Sequence, residues 1–380
     1  MPNPFKPTAG ATPPLLVGRR PILEAFQESI DDGPGAPYLL QLMTGARGVG
    51  KTVMLNELGD VATRNGWIVI HATAGPGMLD RIARRASTYR QELGSRDRGP
   101  ETTSWRITTP VGELGRESQT SGSELRIWSD ELADLLDVLE QHGTGVCVTV
   151  DEIHSLDLGQ MQILAGDVQM LVREGRRISL IMAGLPRAVE ELLAGDSRPT
   201  TFLRRAERPL LADVPVAEVA DSFLQIITDA DRSISDELAM ECAQATGGYP
   251  FMIQLVGYHV WRQAGRGPIT EEHVTAGVAA AQSRLGALVH EPALADLSAV
   301  DRTFLVMMAR DDEPSRLGDI AGRMGKDSRY ASVYRDRLLK AGMIRAAGHG
   351  LVDFEAPYLR EYLREHAAHL VAGQDDGGQS

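Results

Sequence analysis

One stretch of this chain is built for phosphate chemistry: Gly45-Ala46-Arg47-Gly48-Val49-Gly50-Lys51-Thr52. It has the form G-x-x-x-x-G-K-[ST], after an apolar run at 38–43 and before a helical pattern at 52–64. The glycines let successive main-chain N–H groups turn inward around an anion. A helix starting near Lys51 would aim the positive end of its dipole at the same point. Lys51 then adds a point charge for the β- and γ-phosphates, and the Thr52 hydroxyl can ligate Mg²⁺. Only four of the 39 Lys and Arg residues are lysines, which makes the one at this position harder to ascribe to chance.

A second feature answers the first. Val146-Cys147-Val148-Thr149-Val150-Asp151-Glu152 is an apolar run that ends in two adjacent carboxylates. Ligands of a parallel sheet sit at the carboxyl ends of its strands, so both acids would face the phosphate loop. Asp151 is placed to hold the Mg²⁺ shell, and Glu152 to orient and deprotonate the attacking water. His154 neighbours this pair in the sequence.

Both features need a sheet to position them. Apolar runs at 38–43, 67–71, 146–150 and 178–183 read as strands separated by helices, hence a parallel sheet covered on both faces. The first helix should stop at Asn65-Gly66. The expected fold class is α/β, a P-loop NTPase sheet spanning 15–209 after a flexible lead-in at 1–14. A Thr-, Ser-, Gly- and Glu-rich stretch at 102–127 reads as an insertion on the sheet's periphery. Residues 210–290 carry helical spacing at 216–228, 236–245, 251–263 and 271–288, an all-helical lid. In 291–369, helices at 301–310, 317–324 and 328–341 precede strands at 343–346 and 351–354, the layout of a winged helix-turn-helix. Residues 370–380 read as a disordered tail.

Composition sets the setting. The net charge of −13 argues against a surface that coats nucleic acid indiscriminately, while allowing one local basic face. No apolar run approaches the roughly 18 residues of a membrane span, and Met1-Pro2-Asn3-Pro4-Phe5-Lys6-Pro7 has no apolar signal core. Two cysteines, Cys147 and Cys242, sit in apolar segments as small buried residues. A cytoplasmic protein without membrane contact is expected.

Together, Val17-Gly18-Arg19-Arg20, the phosphate loop, Val150-Asp151-Glu152, the helical lid and the C-terminal winged helix resemble AAA+ and STAND-type ATPases. The likeness spans about 15–365 and points to the branch shared by origin-recognition-like initiators and related archaeal and bacterial ATPases. It implies that the nucleotide is ATP, lying between core and lid, and that Val17 and Gly18 contact the adenine. It implies that Gly248-Tyr249-Pro250, similar to the STAND G-x-P motif, closes over the base through Pro250; the same motif also reads as a plain helix-start turn. In Thr201-Phe202-Leu203-Arg204-Arg205-Ala206-Glu207-Arg208, Arg204 or Arg205 falls where oligomeric relatives place a finger for a neighbour's γ-phosphate, and equally where a salt-bridged helix end would stand. Two departures from the family pattern favour slow turnover or a nucleotide-gated switch. The fourth strand ends Met182-Ala183-Gly184-Leu185-Pro186 without a polar sensor, and Phe251-Met252 stand where initiators often carry a sensing arginine.

Lys326, Arg329, Arg335, Arg337 and Lys340 gather around the third C-terminal helix, against Asp327 and Asp336. Arg345 and His349 could add contacts from the wing. Yet 296–365 holds twelve basic and twelve acidic residues, so the module is not basic throughout. The expectation is an ATP-hydrolysing regulatory ATPase associated with double-stranded DNA. The alternative is a signalling switch that binds a protein effector and self-associates without touching DNA.

Overall fold

The computed structural model describes residues 2–8, 13, 16–96, 128–155, 158–194 and 198–372; the insertion read at 102–127 lies outside them. The chain divides into two units. One comprises 19–45 and 51–210, the other 1–18, 46–50 and 211–380.

The first unit is an α/β sheet. Helix α1 (Arg20–Asp32) precedes β1 (Leu40–Gly45), followed by α2 (Lys51–Arg64), β2 (Ile68–Thr73), α3 (Met78–Arg96) and α4 (Trp128–Glu140). Then come β3 (Val146–Asp151), α5 (Leu158–Arg173), β4 (Ile178–Gly184), α6 (Pro186–Leu193), α7 (Arg198–Leu203) and β5 (Leu210–Leu211). The four strands read from apolar runs are β1 to β4. They pair in parallel in the order β2-β3-β4-β1, and β5 joins the sheet beside β1. Every residue of β4 is buried, as a strand covered on both faces requires. Ile70, Val148, Val150, Leu180 and Met182 pack with α3, α4 and α5 through Ile82, Leu132, Leu135 and Leu164. The alternating side chains face the other way, where Gly59 of α2 lets that helix approach Val69 and His71 closely. Asn65-Gly66 stops α2 as read: Gly66 has φ 77°, and the Asn65 amide donates to the Val61 carbonyl at 2.8 Å.

The second unit begins with helices α8 (Val216–Asp229), α9 (Asp236–Thr246), α10 (Pro250–Gln263) and α11 (Glu271–Leu285). These match the four helical patterns, except that α11 gives way to a π-helical turn, Gly286–His290, before α12 (Glu291–Ala295). Beyond it lie α13 (Ala299–Met308), β6 (Ser315–Arg316), α14 (Leu317–Arg323), α15 (Ser328–Lys340), β7 (Ile344–Gly348), β8 (Leu351–Phe354) and α16 (Leu359–Ala372). β6, β8 and β7 form an antiparallel sheet in that order, and Phe304, Leu305, Ile320, Leu338, Val352, Leu359 and Leu363 share one core with it. Sequence reading missed both β6 and α16. The latter runs through residue 372, so its last three residues occupy positions expected to begin a disordered tail.

The lead-in at 1–14 also holds an anchor. Phe5 is 2% exposed, its ring lies 5.6 Å from that of Phe223, and it fills the space a side chain at Gly257 would need. The Asn3 amide donates to the Tyr258 carbonyl and the Lys6 N–H to Gln254, which fasten the segment along α10. A flexible reading overlooked it because one aromatic among prolines gives no periodicity.

His290, in the π-helical turn, is 2% exposed beside Tyr362, and its Nε2 has no hydrogen-bond partner among the described residues. Burial pushes its pKa from 6.5 down to about 4, against a hydrogen bond with the Pro357 main chain. The folded chain therefore keeps this ring neutral where the unfolded chain protonates it. Its contribution is complete above pH 6.5 and is lost as pH falls through 4, by about 3 kcal/mol in all. Urea unfolding of His290→Gln should show a flatter dependence across that window; a slope equal to wild type would refute the assignment.

Candidate functional site

In the sheet unit the acidic strand end meets the start of α2. Lys51 opens α2 at 7% exposure, and its Nζ donates to the Gly45 carbonyl at 3.0 Å. Thr52 Oγ1 donates to Asp151 Oδ2 at 2.5 Å, although β4 intervenes between β1 and β3 in the sheet. The other Asp151 oxygen accepts the Glu152 N–H at 2.8 Å. Glu152 sits at φ 58°, a left-handed conformation that a non-glycine residue adopts at some cost. Its carboxylate meets His154, whose Nε2 lies 2.8 Å from Glu152 Oε2. Sequence reading placed His154 nearby and assigned it nothing; the structure makes it the partner of the expected base.

A side chain at Gly184 would stand 2.5 Å from Ile153 Cγ1, so the end of this strand is kept bare. In α10, likewise, Met252 is wholly buried.

The loop between Gly45 and Lys51 has Gly48 at φ 77° and Gly50 at φ 92°, the conformations that glycine adopts without strain. Within the second unit, Gly18 and Gly248 both lie against Val214. Gly18 packs against Val214 and Glu218, and the Val214 N–H donates to the Gly248 carbonyl at 2.8 Å. Pro250 starts α10 as its first residue. Tyr249 donates from its hydroxyl to the Arg47 carbonyl at 2.9 Å, a contact nothing in the sequence announced.

Of the two arginines, Arg204 is engaged at home, its Nε donating to the Leu193 carbonyl at 2.9 Å. Arg205 lines a cavity of about 420 Å³ with Leu39, Leu40, Val172, Ile178 and Phe202. Leu40 and Ile178 start their strands, so this cavity lies at the opposite end of the sheet from Gly45 and Asp151, which finish theirs.

Comparison with known proteins decides the family of this region. Residues 15–181 match the AAA ATPase domain. The chain carries an AAA ATPase domain. No curated protein matches the sequence. The AAA domain and the helical region after it share their fold with the Walker-type ATPase PABY2304 of Pyrococcus abyssi, at 14% identity and TM-score 0.66 over 92% of this chain and 96% of that one. They also share it with the ORC2 protein of Aeropyrum pernix, determined as ADPNP and ADP complexes, at 17% identity and TM-score 0.61 over 97% of each. Residues 287–363 match a domain of unknown function, DUF8462. Among the described residues no helix is long and apolar enough to cross a membrane.

That DUF8462 region holds the second candidate surface. Asp327 caps α15 by accepting the Tyr330 N–H at 2.7 Å. Arg329, Val333, Arg337 and Lys340 succeed it at three- and four-residue spacing, so they share one helix face. All four are exposed, as is Lys326 just before the helix. Leu338 is core, and Tyr330 pairs with Tyr334 at 4.9 Å. Several cations have acidic partners: Arg335 with Asp336, Arg337 with Asp301, and Arg345 with Asp353.

Proposed function

We propose that the chain binds Mg-ATP at 45–52, hydrolyses it slowly, and engages duplex DNA through a winged helix formed by α13 to β8. The observation that carries the first part is the Thr52–Asp151 contact beside buried Lys51. Thr52 Oγ1 and Asp151 would hold Mg²⁺, directly or through water, since oxygen donors of this kind suit that ion. When bound there it would neutralise charge on the phosphates. The loop amides would grip the β- and γ-phosphates, and Lys51 would turn from the Gly45 carbonyl towards them. Glu152, released from His154, would accept a proton from the water attacking the γ-phosphorus as the bond to the β-phosphate oxygen breaks. The bare end of β4 supports a low rate. Val17, Gly18 and Pro250 are the proposed adenine contacts, and Arg205 is the better candidate to act on a neighbouring copy, since Arg204 is tied to Leu193.

The DNA reading is supported by the face of α15. Lys326, Arg329, Arg337 and Lys340 surround an exposed Val333, a pattern that suits phosphates flanking a thymine methyl in the major groove. Gel shifts with duplex DNA should weaken steeply with salt, and Arg329→Ala should lower the log–log slope by about one. A second reading is a nucleotide-gated switch for a protein effector, favoured by the internal pairing of Arg335, Arg337 and Arg345. Weak DNA binding that ignores salt would select it.

A further inference from the structure

Tyr249 is 2% exposed, and its hydroxyl donates to the Arg47 carbonyl at the crest of the phosphate loop. Its ring takes the place of a side chain at Gly48: a Cβ there would lie 1.7 Å from the Tyr249 hydroxyl oxygen and 2.5 Å from Cζ. A loop that turns N–H groups inward around an anion leaves carbonyls pointing outward, and a covered carbonyl needs a donor. For Arg47, Tyr249 is that donor.

The tyrosine is fixed from behind. The Gly248 N–H donates to Thr246 Oγ1 at 3.1 Å, and the Gly248 carbonyl accepts the Val214 N–H at 2.8 Å. Gly248 sits at φ 81° with the Val214 carbonyl oxygen 2.1 Å from where a Cβ would stand, so no larger residue fits this turn. Immediately after Tyr249, Pro250 begins α10. A rigid turn thus presents one hydroxyl to one loop carbonyl.

We propose that Tyr249 is a positioning residue for the triphosphate: its hydroxyl holds the loop crest in the conformation that receives the phosphates, and Gly48 is the glycine its ring requires. The proposal rests on the ATP reading above and deepens it. Its hydroxyl bonds to the main chain of the loop, so its effect belongs to binding and leaves the chemical step alone.

The test uses the full chain, titrating a fluorescent ATP analogue with Mg²⁺ and measuring turnover and thermal unfolding. Tyr249→Phe keeps the ring and removes the tether. It should weaken binding and raise KM by about fivefold to tenfold, with kcat within about twofold and the unfolding midpoint little changed. Gly48→Ala should abolish binding, and adding Tyr249→Ala should restore part of it, because the ring no longer occupies the new methyl's place. Wild-type affinity in Tyr249→Phe would overturn the proposal while leaving the ATPase reading intact. So would a lowered unfolding midpoint with unchanged affinity, the mark of a purely structural residue. A wild-type chain that binds no Mg-ATP would overturn both.

Discussion

Lys51→Ala is expected to reduce ATP turnover by a factor of about 10² or more and to weaken Mg-ATP binding severely, since a preorganised cation at a developing charge has effects of that order. Lys51 is nearly enclosed, and its ammonium already rests against the Gly45 carbonyl, at the mouth of the loop. In so dry a setting a point charge acts far more strongly on a phosphate than it would in water. Arginine should not substitute. Its planar fork is larger than the ammonium, and the space at Lys51 is closed. Circular dichroism and thermal unfolding of the variant separate loss of binding from loss of fold. Affinity within about threefold of wild type, in a folded variant, would remove the basis for the phosphate site.

Glu152→Gln separates chemistry from binding. It should cut kcat by about 10²- to 10³-fold, the range for removing a positioned general base, while Mg-ATP affinity stays near wild type. The backbone demands little of the exchange, because both side chains meet the left-handed φ of 58° equally. What changes is the acceptor: an amide cannot take the proton from water, nor form an ion pair with His154. Asp151→Asn should behave differently and raise the Mg²⁺ concentration needed for turnover. If Glu152→Gln kept more than about a tenth of wild-type kcat, the proton would have to go elsewhere.

Much of the fold was legible in the residues, for identifiable reasons. β3 and β4 are near-continuous apolar runs because both of their faces are buried, and the glycines of the G-x-x-x-x-G-K-T loop supply its positive-φ turns. Helices α8 to α11 were readable from their spacing, and Gly247 is the left-handed cap that closes α9. Other contacts had no local signature. Phe5 meets Phe223 and Gly257 across more than 200 positions of sequence, and Tyr249 meets Arg47 across a similar gap. Long-range pairs of this kind leave no periodicity. The partnership of Glu152 with His154 is short-range, yet it depends on a strained φ that no composition rule foretells. The cationic residues near α15 were visible, whereas their neutralisation by Asp301 and Asp353 was not, because those partners lie on other elements.

Cys147 lies in the sheet unit and Cys242 in the helical one. Both are fully enclosed, and burial pushes both thiols up to about 12, so neither is a ready nucleophile while its surroundings stay closed. The chain therefore carries a built-in chemical clock in each half. With one cysteine changed to serine, the rate of alkylation of the other times the opening of its own half alone. Run with and without nucleotide, such labelling would report which half the ligand quiets.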